Sequence, residues 1–266
     1  MRSVVVTGAY GGMGRAAVKA MVAQGFRVFA IDKRVDTENI ENVIAIEADI
    51  TSLDGVRAVF DKVKSECDSL YAIIHFAGIY MLDSLVEISE ESFTKIFEVN
   101  LYAAYLVNKT FMPLLSRGSR IVITTSELAP LDPLPFTGIY AVTKAALDKY
   151  AYSLCMELQL LGISVSVLRA GAVKTNMLGA STDELERFCN NTKLYSCNAK
   201  RFRDIVNRVE ARNVPPEKIG ERVCRILSVR RARFVYSINR NPLLLLLNLL
   251  PKRLQLFAIK TVLKNK

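Results

Sequence analysis

The chain has 266 residues, of which 51% are hydrophobic, and it carries a formal net charge of +10. This length and apolar content suffice for one large core, so we expect a single domain. The five cysteines are odd in number and have no Cys-x-x-Cys spacing, which excludes a disulfide framework and a zinc site of the usual kinds. Since the first residues also lack the pattern of a secretion signal, we expect a reducing compartment, the cytoplasm.

The charge is unevenly placed along the chain. Residues 1–186 hold 17 Lys and Arg against 22 Asp and Glu, whereas residues 187–266 hold 19 against 4. Such an excess of positive charge indicates an anionic partner, either nucleic acid or a membrane surface, or it serves solubility alone. Because the sequence has no zinc finger, helix-turn-helix or RNP pattern for presenting side chains to bases, we expect no nucleic-acid partner.

Short apolar runs rich in β-branched residues alternate with segments of helical period. The predicted strands cover residues 3–7, 27–32, 43–46, 71–76, 120–125, 164–168 and 234–238, and the predicted helices include residues 13–24, 53–67, 92–115 and 140–161. This alternation, with strands that are apolar on both faces, is typical of parallel strands joined by crossover helices. We therefore predict an α/β fold, a doubly wound Rossmann-type parallel sheet of about seven strands flanked by helices. The alternation lapses between about residues 176 and 215, where we predict an insertion over the sheet's edge.

A glycine-rich turn joins the first predicted strand to the first predicted helix. It reads Thr-Gly-Ala-Tyr-Gly-Gly-Met-Gly over residues 7–14. Gly8 permits a tight turn, Gly12 lets the backbone approach a pyrophosphate, and Gly14 lets helix and strand pack closely, while the helix N-terminus attracts phosphates. The turn therefore predicts a dinucleotide site, which Tyr10, Gly11 and Met13 would also line. A turn that binds nothing is the alternative.

Asp32 ends the second predicted strand, 24 residues after Gly8. At that distance a carboxylate accepts hydrogen bonds from the adenosine ribose and repels a 2′-phosphate, so Asp32 favours NAD. Lys33 and Arg34 follow immediately and would neutralise such a phosphate, which leaves NADP as the alternative cofactor. The third interpretation is that Asp32, Lys33 and Arg34 simply form the solvated end of a strand.

Tyr140 and Lys144 begin the helical segment 140–161, and a spacing of four places them on one helix face. A free tyrosine has a pKa near ~10, so it becomes a useful proton carrier at neutral pH only where a cation such as Lys144 stabilises the phenolate. Ser126 stands 14 residues earlier at the carboxyl end of a predicted strand, the edge at which open parallel sheets bind ligands. Separately, an exposed Tyr–Lys pair and a strand-end serine would be ordinary structural features; together they predict a proton-transfer site.

At this point the chain resembles the short-chain dehydrogenase/reductase superfamily over residues 3 to about 238. The motifs that carry the resemblance occur in order: the turn at 7–14, Asp49, Ala77-Gly78, Asn100, Ser126, Tyr140 and Lys144. The resemblance implies that Asp49 and Ile50 flank the adenine, that Asn100 organises a water chain from Lys144, and that Val173 and Thr175 reach the pyrophosphate or nicotinamide. It also implies a homodimer or homotetramer built on the two longest helices.

Two positions depart from the family pattern. The usual Asn-x-Ala-Gly reads His75-Phe76-Ala77-Gly78, and the usual Pro-Gly after the sixth strand reads Ala170-Gly171. His75, the only histidine, either makes the structural hydrogen bonds of the family asparagine or titrates and affects cofactor binding. The loss of proline costs rigidity in the second turn. Neither departure removes a proposed catalytic group.

The resemblance gives residues 1–240 as one catalytic domain, with the insertion at about 176–215 as a substrate loop. An apolar group of residues near Ser126 suggests that the substrate is a lipophilic secondary alcohol or ketone, of steroid, retinoid or acyl type; the group consists of Leu128, Leu134 and Phe136. The alternative is that these side chains pack under the loop. The expected activity is NAD(P)-dependent hydride transfer without a metal. The alternative is a non-enzymatic dinucleotide sensor or a membrane-attached interaction protein with the same fold.

Residues 241–266 form an apolar and basic extension that we expect to be helical. The uncharged stretch 241–251 is far shorter than the ~20 residues of a membrane span. Two alternatives remain: a peripheral membrane contact through residues 242–266, with leucines at the lipid boundary and lysines near headgroups, or a helix docked over the substrate pocket or a subunit interface. The extension also resembles the apolar C-termini of retinol and hydroxysteroid dehydrogenase-type members.

Overall fold

The computed structural model describes residues 1–36, 40–208 and 213–264, without the side chains of 176–180 and 208. The parts of the predicted insertion at 209–212 and of the predicted tail at 265–266 lie outside the described residues. Seven strands form one parallel sheet in the order β3-β2-β1-β4-β5-β6-β7. Their bounds are β1 Arg2–Thr7, β2 Phe26–Asp32, β3 Val43–Glu47, β4 Leu70–His75, β5 Leu115–Thr124, β6 Ser164–Ala170 and β7 Val235–Ile238. The predicted Rossmann-type fold is confirmed.

Helices cover both faces of the sheet. They are α1 Gly12–Ala23, α2 Leu53–Glu66, α3 Glu90–Phe97, α4 Ala103–Phe111, α5 Gly138–Leu158, α6 Asn176–Asn191, α7 Ser196–Arg208, α8 Glu217–Ser228, α9 Pro242–Leu249 and α10 Lys252–Leu263. Successive strand residues point to opposite faces, so β1 sends Val5 into the core under α2, α4 and α5, and Val4 into the core under α1 and α8. Both sides of each central strand are therefore buried, which accounts for its continuous apolar run.

The segment predicted as one helix over residues 92–115 is divided in the structure. Helix α3 leads into a π-helical segment at Glu98–Tyr102, α4 follows, and a 3-10 turn ends at Leu114. Strand β5 then begins at Leu115, five residues earlier than predicted. Its first residues are polar and exposed, apart from Leu115, so they carry none of the apolar alternation by which a strand is recognised.

The predicted insertion forms the two helices α6 and α7, which pack beyond the carboxyl ends of the central strands. Leu185, Phe188 and Phe202 join Leu82 and the tail residue Leu263 in one buried cluster. The tail itself consists of α9 and α10, separated at Pro251. Within the described residues, no helix is both long enough and apolar enough to cross a membrane.

Candidate active site

The glycine-rich turn has the close backbone contacts that its sequence predicts. Gly8 adopts a left-handed φ of 66°, and a Cβ there would stand 2.5 Å from the backbone nitrogen of Ala77. A Cβ on Gly14 would stand 2.1 Å from the carbonyl oxygen of Gly8. Side chains at these two positions would collide with backbone, so the turn can pass between β1 and α1 only with glycine.

A cleft of about 630 Å³ opens above this turn at the carboxyl ends of β1, β2, β3 and β4. Its lining includes the predicted cofactor residues Gly8, Tyr10, Gly11, Gly12, Met13, Gly14, Asp32, Lys33, Asp49, Ile50, Ala77, Gly78 and Thr175. The α1 N-terminus at Gly12 faces the cleft and offers backbone N–H groups to an anion. The size and lining of the cleft fit a dinucleotide.

Charged groups at the far end of the cleft are held by local hydrogen bonds. Asp32 accepts hydrogen bonds from the backbone N–H groups of Tyr10 at 2.9 Å and Lys33 at 2.8 Å. The Lys33 ammonium lies 2.8 Å from the Asp49 carboxylate. Although desolvation by burial opposes it, this lysine, with hydrogen bonds from Thr51, lowers the pKa of Asp49 to about 2. The Asp49 carboxylate is therefore charged at neutral pH, and the Asp32 carboxylate is held in position by two backbone N–H groups.

The segment after β6 closes the opposite side of the turn. A Cβ on Gly12 would stand 2.6 Å from the Cβ of Thr175, so the two residues are in direct contact range. Thr175 immediately precedes α6, and its hydroxyl donates to the carbonyl of Val173 at 3.4 Å. Val173 is buried and forms an isolated parallel bridge with Val214. Of the two predicted residues of this segment, Thr175 thus adjoins the glycine-rich turn, and Val173 packs in the core on the α1 and α8 side of the sheet.

Ser126 and Tyr140 are brought together by β5 and α5. Ser126 follows β5, and Tyr140 lies in the first turn of α5; both are buried. Burial raises the pKa of Tyr140 to about 12, against the effect of a hydrogen bond with Ser126, which lowers it. With this pKa the phenol is protonated at neutral pH, and stabilisation of the phenolate by Lys144 stays a prediction.

Lys144 and Asn100 meet behind Gly78. A Cβ on Gly78 would stand 3.2 Å from Oδ1 of Asn100 and 3.3 Å from Nζ of Lys144. The Lys144 ammonium donates to the Thr124 carbonyl at 3.4 Å and lies 5.7 Å from the Tyr140 ring centroid. Burial lowers its pKa to about 8. The amine therefore lies beside Gly78, which lines the cleft, and carries its charge at neutral pH.

The π-helical segment aims Asn100 at the loop after β4. Its Oδ1 accepts the N–H of Ile79 at 2.8 Å, and its Nδ2 donates to the Ile79 carbonyl at 3.0 Å and to the Thr143 hydroxyl at 3.1 Å. Asn100 thereby ties the backbone beside Gly78 to the helix that bears Tyr140 and Lys144. Its predicted role as an organiser of water is compatible with this position but is not tested by it.

His75, which replaces the family asparagine, is a buried structural residue. Its Nε2 lies 2.9 Å from Oδ1 of Asn108, and its Nδ1 lies 3.4 Å from the Thr7 hydroxyl. Asn108 in turn donates to Tyr150 at 3.1 Å. Burial lowers the pKa of His75 to about 4, so the ring is neutral at physiological pH. The geometry supports the structural alternative over the titrating one.

A second cavity of about 310 Å³ adjoins the cleft and contains two of the predicted catalytic residues. Ser126 and Tyr140 line it, and Met13 and Thr175 line both cavities. The rest of its wall is largely apolar and includes Leu128, Leu134, Leu185, Phe202 and Leu244. Phe136 instead packs against Phe188, with ring centroids 4.5 Å apart, so the predicted apolar rim is divided between the pocket and the core beneath it.

Sequence reasoning missed several contributors to this pocket. Tyr80 lies with its ring centroid 4.9 Å from that of Tyr140, and its position two residues after Gly78 could have revealed it. The tail residue Leu244 reaches the pocket from α9. Glu127 and Asp132, for which the sequence suggested no role, hold the tail: Glu127 accepts the Asn241 N–H at 2.6 Å, and Asp132 pairs with Lys252.

Comparisons with known proteins agree with this architecture. A family model described as short chain dehydrogenase matches residues 2–186. The chain is 30% identical over 199 residues to estradiol 17-beta-dehydrogenase 2 of Mus musculus, covering 70% of this chain but only 52% of that protein. It is 22% identical to the 3-ketodihydrosphingosine reductase of Bacteroides thetaiotaomicron, covering 87% and 85% of the two chains. A crystal structure of a short chain dehydrogenase family protein from Francisella tularensis superimposes with a TM-score of 0.75 at 25% identity, covering 90% and 97%.

Proposed function

Since this chain belongs to the short-chain dehydrogenase family, we propose that it is an oxidoreductase that transfers hydride between NAD and a lipophilic secondary alcohol or ketone. One observation carries the proposal: Ser126 and Tyr140 together line the pocket that shares Met13 and Thr175 with the dinucleotide-shaped cleft. A carbonyl or hydroxyl carbon in that pocket would lie beside the cleft. The reaction needs no metal, and the residues that the structure describes contain no group of His, Cys, Asp and Glu suited to holding one.

Each residue of the constellation has a proposed task. When bound, the nicotinamide accepts a hydride from the carbinol carbon or returns one to the carbonyl carbon. The Tyr140 hydroxyl donates its proton to the carbonyl oxygen during reduction and takes the hydroxyl proton during oxidation. Ser126 holds the same oxygen in line with the phenol. Lys144 supplies positive charge beside Tyr140, and Asn100 fixes the backbone at Gly78 against which the cofactor would lie.

Local charge pairing supports NAD over NADP. A 2′-phosphate on the adenosine ribose would meet the Asp32 carboxylate, which two backbone N–H groups hold in the cleft. Two nearby cations are paired with carboxylates: Lys33 with Asp49 and Arg15 with Asp36. Arg34 also lines the cleft and could meet such a phosphate, but Asp32 would still oppose it, whereas the hydroxyls of an NAD ribose could donate to Asp32 as it stands.

The character of the second pocket supports a lipophilic substrate. Its wall is mostly apolar, with polar side chains that include Ser126, Tyr140, Thr125, Glu127 and Asn241. Such a pocket binds an apolar skeleton by desolvation and orients it by the few polar groups. The similarity to a steroid dehydrogenase and a sphingoid-base reductase is consistent with this class and does not choose between a steroid, a retinoid or an acyl chain.

The first test is fluorescence titration with NADH and NADPH, repeated with Asp32→Ala. We expect NADH to bind more tightly and the substitution to erode that preference, because it removes the ribose acceptor. If NADPH binds more tightly, Lys33 and Arg34 rather than Asp32 determine which cofactor is bound. Failure of both cofactors to bind would overturn the proposed activity.

The second test compares turnover of lipophilic alcohols and ketones by the wild type, Tyr140→Phe and Tyr152→Phe. The first substitution removes the proton carrier, so we expect kcat to fall by roughly 10²–10⁴ while NADH affinity is kept. Tyr152 is an exposed tyrosine of the same helix, and its loss of one hydroxyl should leave turnover unchanged. Equal turnover by Tyr140→Phe and the wild type would refute the role assigned to Tyr140. A wild type that binds NADH but turns over none of the alcohols or ketones would favour a dinucleotide sensor.

A further inference from the structure

The two tail helices present an apolar surface to solvent. We call tail surface the exposed side chains Leu243, Leu246, Leu249, Leu256 and Phe257. Leu249, Leu256 and Phe257 are 79%, 69% and 67% exposed, which is unusual for large apolar side chains that follow one another so closely. Large apolar side chains exposed repeatedly along two successive helices point to an interaction site.

The opposite side of the tail is firmly attached to the rest of the molecule. Leu263 is buried in the cluster formed with α6 and α7, and Gln255 is buried and donates to the Leu250 carbonyl at 2.8 Å. Asn248 accepts the Asp132 N–H at 2.6 Å, and Lys252 pairs with the side chain of the same aspartate. The helices are therefore held in a fixed orientation, and the tail surface faces outward as a consequence of that attachment.

The chain segment that carries the tail surface has charges of a single sign. Residues 222–266 contain 11 Lys and Arg and no Asp or Glu. Arg253 and Lys260 are exposed on α10, the helix of Leu256 and Phe257, and the exposed Lys264 directly follows its end. An apolar face bordered by cations matches a layer that is apolar below and anionic at its surface.

A neighbouring groove extends the same surface. Lys260 and Lys264 border a groove of about 440 Å³ whose other side is formed by Leu85 and Val86. Leu85 and Val86 are themselves exposed, and they belong to the loop between β4 and α3 rather than to the tail. Apolar exposure and lysines therefore continue from α10 onto a separate part of the fold.

We propose that the tail surface docks the protein on an anionic lipid bilayer, with α9 and α10 lying in the plane of the interface. The apolar side chains would enter the boundary of the acyl chains, and the cations would lie near the headgroups. A second copy of this chain is the weaker occupant, because a two-fold contact would bring the same uncompensated cations together. The inference does not depend on the proposed hydride transfer, since it rests on surface exposure and charge alone.

Docking in this orientation would bring the bilayer close to the second pocket. Leu244 of α9 lines that pocket, while its neighbours Leu243 and Leu246 belong to the tail surface. One short helix thus separates the pocket from the proposed bilayer. A lipophilic molecule dissolved in the membrane could pass over α9 into the pocket without crossing bulk water.

The test is flotation of the full-length protein with vesicles of phosphatidylcholine and phosphatidylglycerol, beside vesicles of phosphatidylcholine alone. We expect flotation with the anionic vesicles, weakened by added salt. The double substitution Leu256→Ser with Phe257→Ser should reduce partitioning at least about tenfold, since it removes apolar area that enters the lipid. Its matched control, Leu160→Ser with Leu161→Ser, changes two exposed leucines at the end of α5 and should float like the wild type.

The electrostatic part is tested with Arg253→Gln and Lys260→Gln. Each lost cation should weaken binding to anionic vesicles by about fivefold, whereas Lys19→Gln and Lys62→Gln, exposed on α1 and α2, should not. Equal thermal unfolding and equal NADH binding of all variants would show that their folds are intact. A serine pair that floats like the wild type, or a wild type that does not float, overturns the proposal.

A direct readout of insertion is available because the chain has no tryptophan. In Phe257→Trp, we expect emission to shift to the blue on vesicle addition and to be quenched by brominated acyl chains. In Leu160→Trp, neither change is expected. If light scattering instead shows a vesicle-independent assembly that the serine pair abolishes, the tail surface is an interface between copies and the lipid proposal is wrong.

Discussion

Burial at Tyr140 and Lys144 favours the uncharged form of each residue. The pKa of the phenol is raised to about 12 and that of the amine is lowered to about 8. Below about pH 8, Tyr140 is therefore a neutral phenol and Lys144 is an ammonium. This is the state that donates a proton, so at neutral pH the free enzyme is prepared for ketone reduction, and oxidation requires removal of the phenolic proton.

This protonation state predicts a pH profile for reduction. We expect kcat/KM for ketone reduction to be nearly flat up to about pH 8 and to fall above it, because Lys144 then loses the charge that stabilises the developing phenolate. Steady-state rates across the pH range check this. Lys144→Arg keeps the cation at high pH and should move the fall upward, even if its maximal rate is lower. A wild-type profile that stays flat to pH 10 would contradict the prediction.

His75 predicts a separate effect of pH, on stability. Its pKa is about 4 in the folded protein and 6.5 in the unfolded chain, so the unfolded state binds the proton first as pH falls. Stability is therefore complete above about pH 6.5 and is lost progressively toward pH 4, by about 3 kcal/mol in total.

The control for this effect is His75→Asn, which substitutes an amide that cannot titrate. We expect its free energy of unfolding, measured by urea denaturation, to fall less than that of the wild type over the same pH interval. The acidic residues contribute equally to both proteins, and no other histidine is present. Parallel curves for the two proteins would show that His75 is not responsible.

Among the structural elements, the glycine-rich turn offers both a test position, Gly14, and a matched control position, Gly11, for its steric requirement for glycine. A Cβ at position 14 would stand 2.1 Å from a backbone oxygen that cannot move aside, whereas a Cβ at Gly11 would stand 3.4 Å from the same Gly8 oxygen, an ordinary contact. Both glycines line the cleft. The two positions thus differ in steric room within one turn.

We accordingly expect Gly14→Ala to lower the melting temperature by several degrees, through a destabilisation of about 1–3 kcal/mol, and to abolish NADH binding. Gly11→Ala should melt close to the wild type, whatever its effect on the cofactor. Differential scanning fluorimetry with and without NADH measures both quantities. Equal melting temperatures of the two variants would contradict the clash at position 14.

The π-helical segment at Glu98–Tyr102 is a local structure that the sequence did not predict. The helical period of residues 92–115 predicted a helix, and most of the segment is one. Nothing in that period distinguishes an i+5 turn from an i+4 turn, because the choice depends on what the side chains meet. Here Asn100 finds the Ile79 backbone and Thr143, two partners from distant parts of the chain. The identity of Asn100 was predictable from the motif order, but its geometry was not.

For the whole molecule, the sequence predicted the parallel sheet because every central strand is apolar on both faces. The glycines, Asp32, Ser126 and Tyr140 could be placed at one sheet edge because each follows a predicted strand or begins a predicted helix. The wall of the second pocket could not be derived in this way. Leu185, Phe202 and Leu244 reach it from α6, α7 and α9, whose positions depend on tertiary packing rather than on strand order.

The exposed faces of α3, α4 and α5 are the expected subunit interface of the predicted homodimer or homotetramer. Phe93, Tyr105, Val142 and Met156 are large apolar side chains exposed on these helices. Unlike the tail surface, this region is not strongly basic, so a second copy can cover it without like-charge repulsion. Burying such side chains in a symmetric contact is the ordinary way in which exposed apolar helix faces are stabilised.

We therefore expect the wild type to sediment as a dimer or tetramer of the 29.7 kDa chain and Tyr105→Glu with Met156→Glu to sediment as a monomer. The two glutamates place like charges in a contact that must exclude water, so the association free energy should be lost. Leu194→Glu, an exposed change between α6 and α7, should leave the assembly intact. A monomeric wild type, or an assembly that survives the two glutamates, would mean that these helix faces are not the interface.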